Sequence, residues 1–531
     1  MAFLSAPSAD EVGVAGPFRR LIDGFDRPAT PRFVGLAIGL AWMFWFLLAN
    51  AGYTEFAWIC KHDPGAVLRT DEIVAQGQRP GLDFFYYYGP LPLLVSRAFF
   101  FVFGRSPLLL LALLAVIGAG FAAGLASIVQ FFKPTRLGVL LIAVASVHVI
   151  TPPMPTHGLE AALLIWAVAL RIRGHHALAL TLACCGFFTK VSMSSVLIAG
   201  FVALMVCDAI RAKSSRPLAS LVVVPVALAA LFVGSSLAFG TASVLACLDP
   251  RAGAILYKVA NLGFLKEGRS LWHPAGHTLG WYLGGLPGPW LAASIVLLAR
   301  ASRAAVRFVR GVLGRVARDE QTIHDETCLM TCVAHLAFVV FFFPMAAWIS
   351  YYTWLLLVGL TPMLARARLG SASGDGTFRY GWLALAAFLL MSTKAPVARF
   401  VEAFRRPRAW VGDAWMPVDE ARELKESLAI AHGTGAGIVT VVAHVANWGL
   451  VDPTLRQGRY WMMQPGMRTT PSVAELLSLA QSSDALFLSP FDYTLLLRIP
   501  QFQPLLAKSE RLHEGKHFIV LRAPNAPPPS Q

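Results

Sequence analysis

Charged side chains are scarce in this chain. Asp, Glu, Lys and Arg make up 14% of its 531 residues while 56% are hydrophobic, and the mean hydropathy is +0.59. A water-soluble chain of this length carries about a quarter charged residues, so the deficit excludes an ordinary soluble globule. Cysteine is also thin. Cys60, Cys184, Cys185, Cys207, Cys247, Cys328 and Cys332 show no metal-binding spacing, which excludes a zinc module and a disulfide framework. The alternation of apolar and polar residues that a membrane barrel needs is missing. The first apolar run begins only at Phe33, after Asp10 and Glu11, which is not the layout of a cleavable leader.

What the chain has instead is long apolar runs. Pro107 to Phe132 and Pro217 to Ala246 contain no ionisable residue. Each is long enough to cross a hydrocarbon core of about 30 Å, where only a helix satisfies its own backbone. Candidate spans are 33–52, 107–131, 136–151, 157–171, 176–190, 191–209, 217–240, 279–299, 327–346, 351–366 and 379–395. A twelfth candidate, 91–104, is short and carries Arg97 near its middle, which a lipid-facing span resists. The expectation is an all-α multi-pass membrane bundle of about eleven or twelve spans.

The net charge of +15 does not point to nucleic acid, because the basic residues sit in short clusters between apolar runs. If 91–104 does not cross, then Lys133/Arg136, Arg171/Arg173, Arg211/Lys213/Arg216, Arg303 to Arg318 and Arg366/Arg368 all fall on the side of the N-terminal segment 1–32. Positive charge marks that side as cytoplasmic. The loops 53–106 and 241–278 and the region 400–531 then lie outside a bacterial plasma membrane. The basic, amphipathic stretch Arg300 to Arg318 reads as a separate surface helix against anionic lipid.

Charge returns after 399. Gly437 to Val445, Ala485 to Leu488 and His517 to Leu521 read as short buried strands. Ala421 to Ala431 and Ser472 to Ala480 read as helices, so 400–523 is expected to be a small α/β domain with a Pro-rich tail. The remainder, 33–399, is the membrane module.

Chemistry concentrates in the first long polar loop. It carries the acid pair Asp71-Glu72, a further acid at Asp83, three tyrosines at Tyr86, Tyr87 and Tyr88, and a Gly89-Pro90 turn. Carboxylates beside aromatic rings suit a sugar and its hydroxyls; helix capping and interface anchoring are the plainer roles for the same residues. The pattern Asp71-Glu72, Gly77, Asp83-Phe84, Gly89-Pro90-Leu91 and Phe103-Gly104 resembles the first outer loop of GT-C membrane glycosyltransferases, in particular the protein O-mannosyltransferase and lipid A aminoarabinose transferase group. The resemblance implies inverting transfer of a sugar from a polyprenyl-phosphate-linked donor to a hydroxyl of a lipid, glycan or protein, with Asp71 as base, Glu72 orienting, and Asp83 a second candidate.

A departing phosphate needs cations. Lys258, Lys266, Arg269 and His273 in the loop 241–278 are candidates, with Lys266 and Arg269 foremost, although contact with anionic head groups would also account for them. Lys190, between two apolar runs, is a further candidate beside the snorkelling role usual for lysine. His157, Glu160, Tyr351 and Tyr352 begin spans and are read as sugar- or acceptor-facing. No metal site or cofactor is expected, the lipid donor being a substrate, although a divalent ion is compatible with the chemistry. A transporter or flippase of lipid-linked or small solutes is the alternative, and a scaffold a third.

Overall fold

The computed structural model describes residues 23–50, 63–84, 86, 88–147, 155–249, 288–316, 318–341, 352–367, 401, 405, 407–435, 437–440, 448–457 and 473–524. The described part of the membrane module is helical. In chain order it has α1 (Pro31–Asn50), α2 (Asp63–Ala75), α3 (Leu91–Phe103), α4 (Pro107–Phe131), α5 (Arg136–Ser146), α6 (Pro155–Ile172) and α7 (His176–Thr189). It continues with α8 (Val191–Ala212), α9 (Val223–Phe239), α10 (Thr241–Leu248), α11 (Gly288–Leu313), α12 (Glu320–Phe341) and α13 (Thr353–Leu364). Among the described residues four helical segments are long and apolar enough to cross a membrane: Pro31–Leu48, Pro107–Phe131, Val191–Ala212 and Arg216–Phe239. The expected span at 379–395 lies outside the described residues.

Local chemistry sets the breaks. Ser106 caps α4, its hydroxyl accepting from Leu109 N–H ahead of Pro107. Thr135 caps α5 in the same way through Gly138 N–H. Lys190 is extended, with φ −156° and ψ 120°, and separates α7 from α8. The helices meet through small residues, as helix pairs in lipid do. A Cβ on Gly124 would lie 2.7 Å from Ile165, and Trp166 Nε1 donates to Gly120 O at 2.8 Å, so α4 and α6 are in close contact. Conversely Leu36, Leu40, Phe44 and Leu47 on α1 and Val226, Val233 and Leu237 on α9 are exposed, an apolar surface that lipid covers.

One end of the bundle gathers the basic loops. Ala29 N–H donates to Pro134 O, Arg136 N–H to Arg27 O and Thr135 N–H to Ala365 O, at 2.8, 2.9 and 2.8 Å. There a buried charge network joins α6, α8 and α12. Arg171 contacts Asp208 at 2.6 Å, Arg211 contacts Glu326 at 2.7 Å, and Arg318 contacts Glu326 at 2.9 Å. The basic stretch expected as a surface helix at Arg300 to Arg318 is, up to Leu313, the second half of a helix that begins at Gly288. α11 runs unbroken from Gly288 to Leu313, because Ala, Arg and Val sustain a helix until Gly314.

Both ends of α3 stay at the opposite end of the bundle. Gly89 N–H, just before it, donates to Thr189 O at the close of α7, and Arg105, just after it, reaches Asp71 of α2. At 13 residues α3 is about 20 Å long, short of a span.

The C-terminal region opens with a hairpin, β1 (Arg408–Val411) and β2 (Ala414–Pro417), turned at Gly412 with φ 55°. Then come α14 (Val418–His432), β3 (Ile438–Thr440), β4 (Arg456–Gln457), α15 (Val473–Gln481), β5 (Ala485–Leu488), α16 (Pro490–Leu497), α17 (Gln503–Lys508), β6 (Glu510–Glu514) and β7 (Ile519–Arg522). The sheet order is β4-β3-β5-β7-β6, parallel from β4 to β5 and antiparallel from β5 to β6. One apolar cluster unites Leu68 of α2, Phe100 of α3 and Leu110 and Leu114 of α4 with Met416, Leu424 and Phe487 of this region. The sheet domain therefore sits on the first-loop end of the bundle.

Candidate active site at the first-loop end

α2 is a short helix wedged at that end, with different neighbours on different faces. Leu68 packs toward the sheet domain, and Ile73 joins Phe84, Tyr86, Tyr88, Leu93 and Phe188 in a second apolar cluster. Asp71 lies between them and is buried, 6% exposed. Two arginines approach its carboxylate: Arg97 Nη1 is 3.5 Å from Oδ1 and Arg105 Nη1 is 3.6 Å from Oδ2. Arg97 Nη1 also donates to the Asp71 carbonyl at 3.1 Å. Burial pushes the Asp71 carboxyl above its ordinary value, with the two arginines pulling the other way and Glu72 adding to the rise. Glu72 turns to Arg69 at 2.9 Å and is partly exposed. Asp83 is held in a turn of its own, accepting from Arg79 N–H at 2.8 Å and pairing with the Arg79 guanidinium at 3.1 Å near the surface.

Phe84, Tyr86 and Tyr88 all point inward, edge to face, with ring centroids 6.4 and 5.8 Å apart. Tyr88 continues the row onto His157 at 5.6 Å. Tyr87 lies outside the described residues. Glycine makes the docking feasible: a Cβ on Gly89 would lie 2.0 Å from Phe188 O. Ser243 of α10 fastens the other side of the loop by donating to Pro80 O at 2.6 Å.

Beneath the tyrosines is a buried polar cluster assembled from four parts of the chain. His157 Nε2 is 3.4 Å from Tyr88 Oη, and His157 Nδ1 is 3.5 Å from Lys190 Nζ. Tyr352 Oη donates to Glu160 Oε2 at 3.0 Å and Ser194 Oγ to Glu160 Oε1 at 3.4 Å. Lys190 Nζ sits 5.4 Å over the Tyr352 ring, a cation–π distance. Tyr86 shares a hydrogen bond with Thr156. His157, Glu160 and Tyr352 are 5%, 1% and 2% exposed.

The structure thus brings Tyr86, Tyr88, His157, Glu160, Lys190 and Tyr352 together and sets Asp71 on the adjoining helix. Tyr351, Lys258, Lys266, Arg269 and His273 lie outside the described residues. Sequence reasoning noted Arg97 only as an oddity and missed Arg105 and Ser194. The available signal was a pair of arginines bracketing the apolar Phe99 to Phe103. Among the described residues no three metal-ligating side chains gather.

No protein-family model and no curated protein matches the sequence. Among solved structures the chain is similar to ArnT from Cupriavidus metallidurans bound to undecaprenyl phosphate, at 12% identity and a TM-score of 0.39, over 94% of this chain and 100% of that one. It is also similar to the arabinofuranosyltransferase AftD from mycobacteria, at 15% identity and a TM-score of 0.46, over 94% of this chain and 40% of that one.

Proposed function

We propose that this protein is a GT-C-type membrane glycosyltransferase that moves a sugar from a polyprenyl-phosphate-linked donor to a hydroxyl acceptor, with inversion and with Asp71 as general base. The observation that carries the reading is the placement of Asp71. It is a buried carboxylate on the loop that carries the GT-C-like motif, beside two arginines and on a helix whose Ile73 packs with the aromatic row.

The chemistry follows from those groups. Asp71 takes the acceptor hydroxyl proton as that oxygen bonds to the anomeric carbon from the face opposite the phosphate. The carbon–oxygen bond to phosphate breaks, and the phosphate leaves with the electron pair. Carboxylates nearby stabilise the positive charge that develops on the sugar. Lys190, and Lys266 with Arg269 in the outer loop, are proposed to neutralise the leaving phosphate. Glu72 orients, Asp83 is the second candidate base, and Tyr86 and Tyr88 wall the sugar. The basic loops at the far end support assigning this site to the extracytoplasmic face of the plasma membrane.

The test is transfer of radiolabelled sugar from polyprenyl-phosphate donors in proteoliposomes. Asp71→Asn is expected to lower the rate by roughly 10²–10⁴-fold with folding intact. Turnover equal to wild type removes Asp71 from the reaction. The transporter or flippase reading draws on the helix break at Lys190 inside a buried ionisable cluster. It predicts movement of the lipid-linked solute with no sugar transferred.

A further inference from the structure

Arg97 and Arg105 outnumber their acid. Around α2, Arg69, Arg97 and Arg105 face Asp71 and Glu72, and Glu72 is taken by Arg69, which leaves two guanidinium groups on one carboxylate. Their contacts of 3.5 and 3.6 Å are ion-pair distances. Charge-saturated guanidinium–carboxylate bonds close to about 2.7–2.9 Å. Each guanidinium has five donors in a planar fork, and one carboxylate cannot fill two forks. A lipid phosphate that carries a sugar is a diester whose two free oxygens can each meet one guanidinium, and it gains a third oxygen and further charge as the sugar leaves, so the clamp grips the departing phosphate hardest.

The surroundings say where such a phosphate comes from. Arg105 follows Phe101, Val102 and Phe103, which are 91%, 68% and 61% exposed, and precedes Leu108, which is 59% exposed. Four exposed apolar side chains in eight residues form an apolar wall of the kind lipid covers. The Asp71 side chain is 8% exposed and the two arginines about one-third, so a ligand meets the guanidinium groups before the carboxylate.

We propose that Arg97 and Arg105 form a phosphate clamp which Asp71 occupies until a lipid-borne phosphate arrives, and that the phosphate takes over the arginines and releases the carboxylate for its role as base. This rests on the reading of Asp71 as base and adds a gate to it. Before the donor arrives the carboxylate is covered by the two guanidinium groups and out of reach of an acceptor hydroxyl. Once the phosphate oxygens engage both guanidinium groups, the carboxylate is uncovered beside the sugar that phosphate carries. Water therefore meets a covered base, and the acceptor meets an open one.

Binding measured without turnover tests the exchange. Purified protein in detergent is titrated with a short-chain polyprenyl phosphate, and separately with inorganic phosphate, by calorimetry. Asp71→Asn is expected to bind the lipid phosphate about tenfold more tightly than wild type, because the internal competitor is gone. A misfolded variant does not gain affinity, so this arm is read directly. Arg97→Gln combined with Arg105→Gln in the Asp71→Asn background is expected to abolish the gain. Inorganic phosphate is expected to bind at least about tenfold more weakly than the lipid form. Equal or weaker lipid-phosphate binding by Asp71→Asn overturns the clamp, as does a gain that survives loss of both arginines. Equal affinity for the two phosphates overturns its assignment to a lipid ligand. A clamp that behaves as expected in a protein that transfers no sugar sinks the glycosyltransferase reading alone.

Discussion

Tyr352 and Glu160, 192 positions apart, are joined by a 3.0 Å hydrogen bond that ties the start of α13 to the start of α6. The bond is set in a cluster where Lys190 and Glu160 act on each other as opposite charges among apolar helices. Removing only the hydroxyl, in Tyr352→Phe, leaves Glu160 its Ser194 partner and is expected to cost about 1 kcal/mol. Glu160→Ala leaves a buried lysine without its counter-charge and is expected to cost about 3–5 kcal/mol. Thermal unfolding in one detergent ranks the two variants. If Tyr352→Phe is the more damaging, the cluster is not organised around the Glu160 charge.

The two glycines of the loop motif have different physical reasons, and substitution separates them. Gly77 has φ 86° and open space around it, so Ala there costs only backbone strain of about 1–2 kcal/mol. Gly89 faces Phe188 O at 2.0 Å and Phe188 C at 2.4 Å, backbone atoms that cannot turn aside. Gly89→Ala is expected to reach at least the top of the roughly 1–3 kcal/mol range for overpacking and to lift the tyrosine row off His157. Comparing melting temperature and transfer rate for the two variants checks this. Equal effects would mean the loop does not seat on α7 as described.

Much of this was legible in the sequence because it rests on local pattern. The helix ends at Ser106-Pro107, Thr135 and Lys190 follow from capping groups and breaks in apolar runs. The clustering of Tyr86 and Tyr88 beside the acid pair follows from the aromatic run in the first polar loop. What was not legible depends on long-range pairing. Arg97 meets Asp71 across 26 positions, and Arg211 meets Glu326 across 115, through chain paths no periodicity encodes. α11 was divided because its composition changes near Arg300 while its helical propensity does not. The hairpin at Ala409 and Trp415 was passed over although Gly412-Asp413 is a two-residue turn signal.

At the opposite end, Glu326 contacts Arg211 at 2.7 Å, Arg318 at 2.9 Å and Arg171 at 3.6 Å, and it is 3% exposed. Among the described residues Asp208 shares this work, pairing with Arg171 and Arg211. Glu326→Ala therefore leaves the two buried guanidinium groups of Arg171 and Arg211 on the Asp208 carboxylate and takes away the Arg318 contact, and is expected to cost about 3–5 kcal/mol. Burial shields the network from ions, so the loss is expected to persist in high salt. The check is the melting temperature at low and high ionic strength. A loss that vanishes with salt would mark these contacts as surface pairs.

Asp71 gives the sharpest pH signature, because its two consequences run in opposite directions. Burial raises its pKa in the folded protein above the roughly 3.9 of an unfolded chain. The folded state therefore holds the proton more tightly. The resulting stabilisation is complete below the unfolded value and is lost as pH rises through the raised folded value. Catalysis needs the carboxylate, so the rate is expected to climb across the same interval in which stability, relative to Asp71→Asn, declines. Arg97 and Arg105 each oppose the rise, so Arg97→Gln removes one restraint and is expected to move both inflections to higher pH. Melting curves and transfer rates over a pH series, for wild type, Asp71→Asn and Arg97→Gln, give the two inflections independently. An Arg97→Gln variant whose rate inflection at limiting donor, which reports the donor-free enzyme, stays fixed while its stability inflection moves would show that a group other than Asp71 accepts the proton.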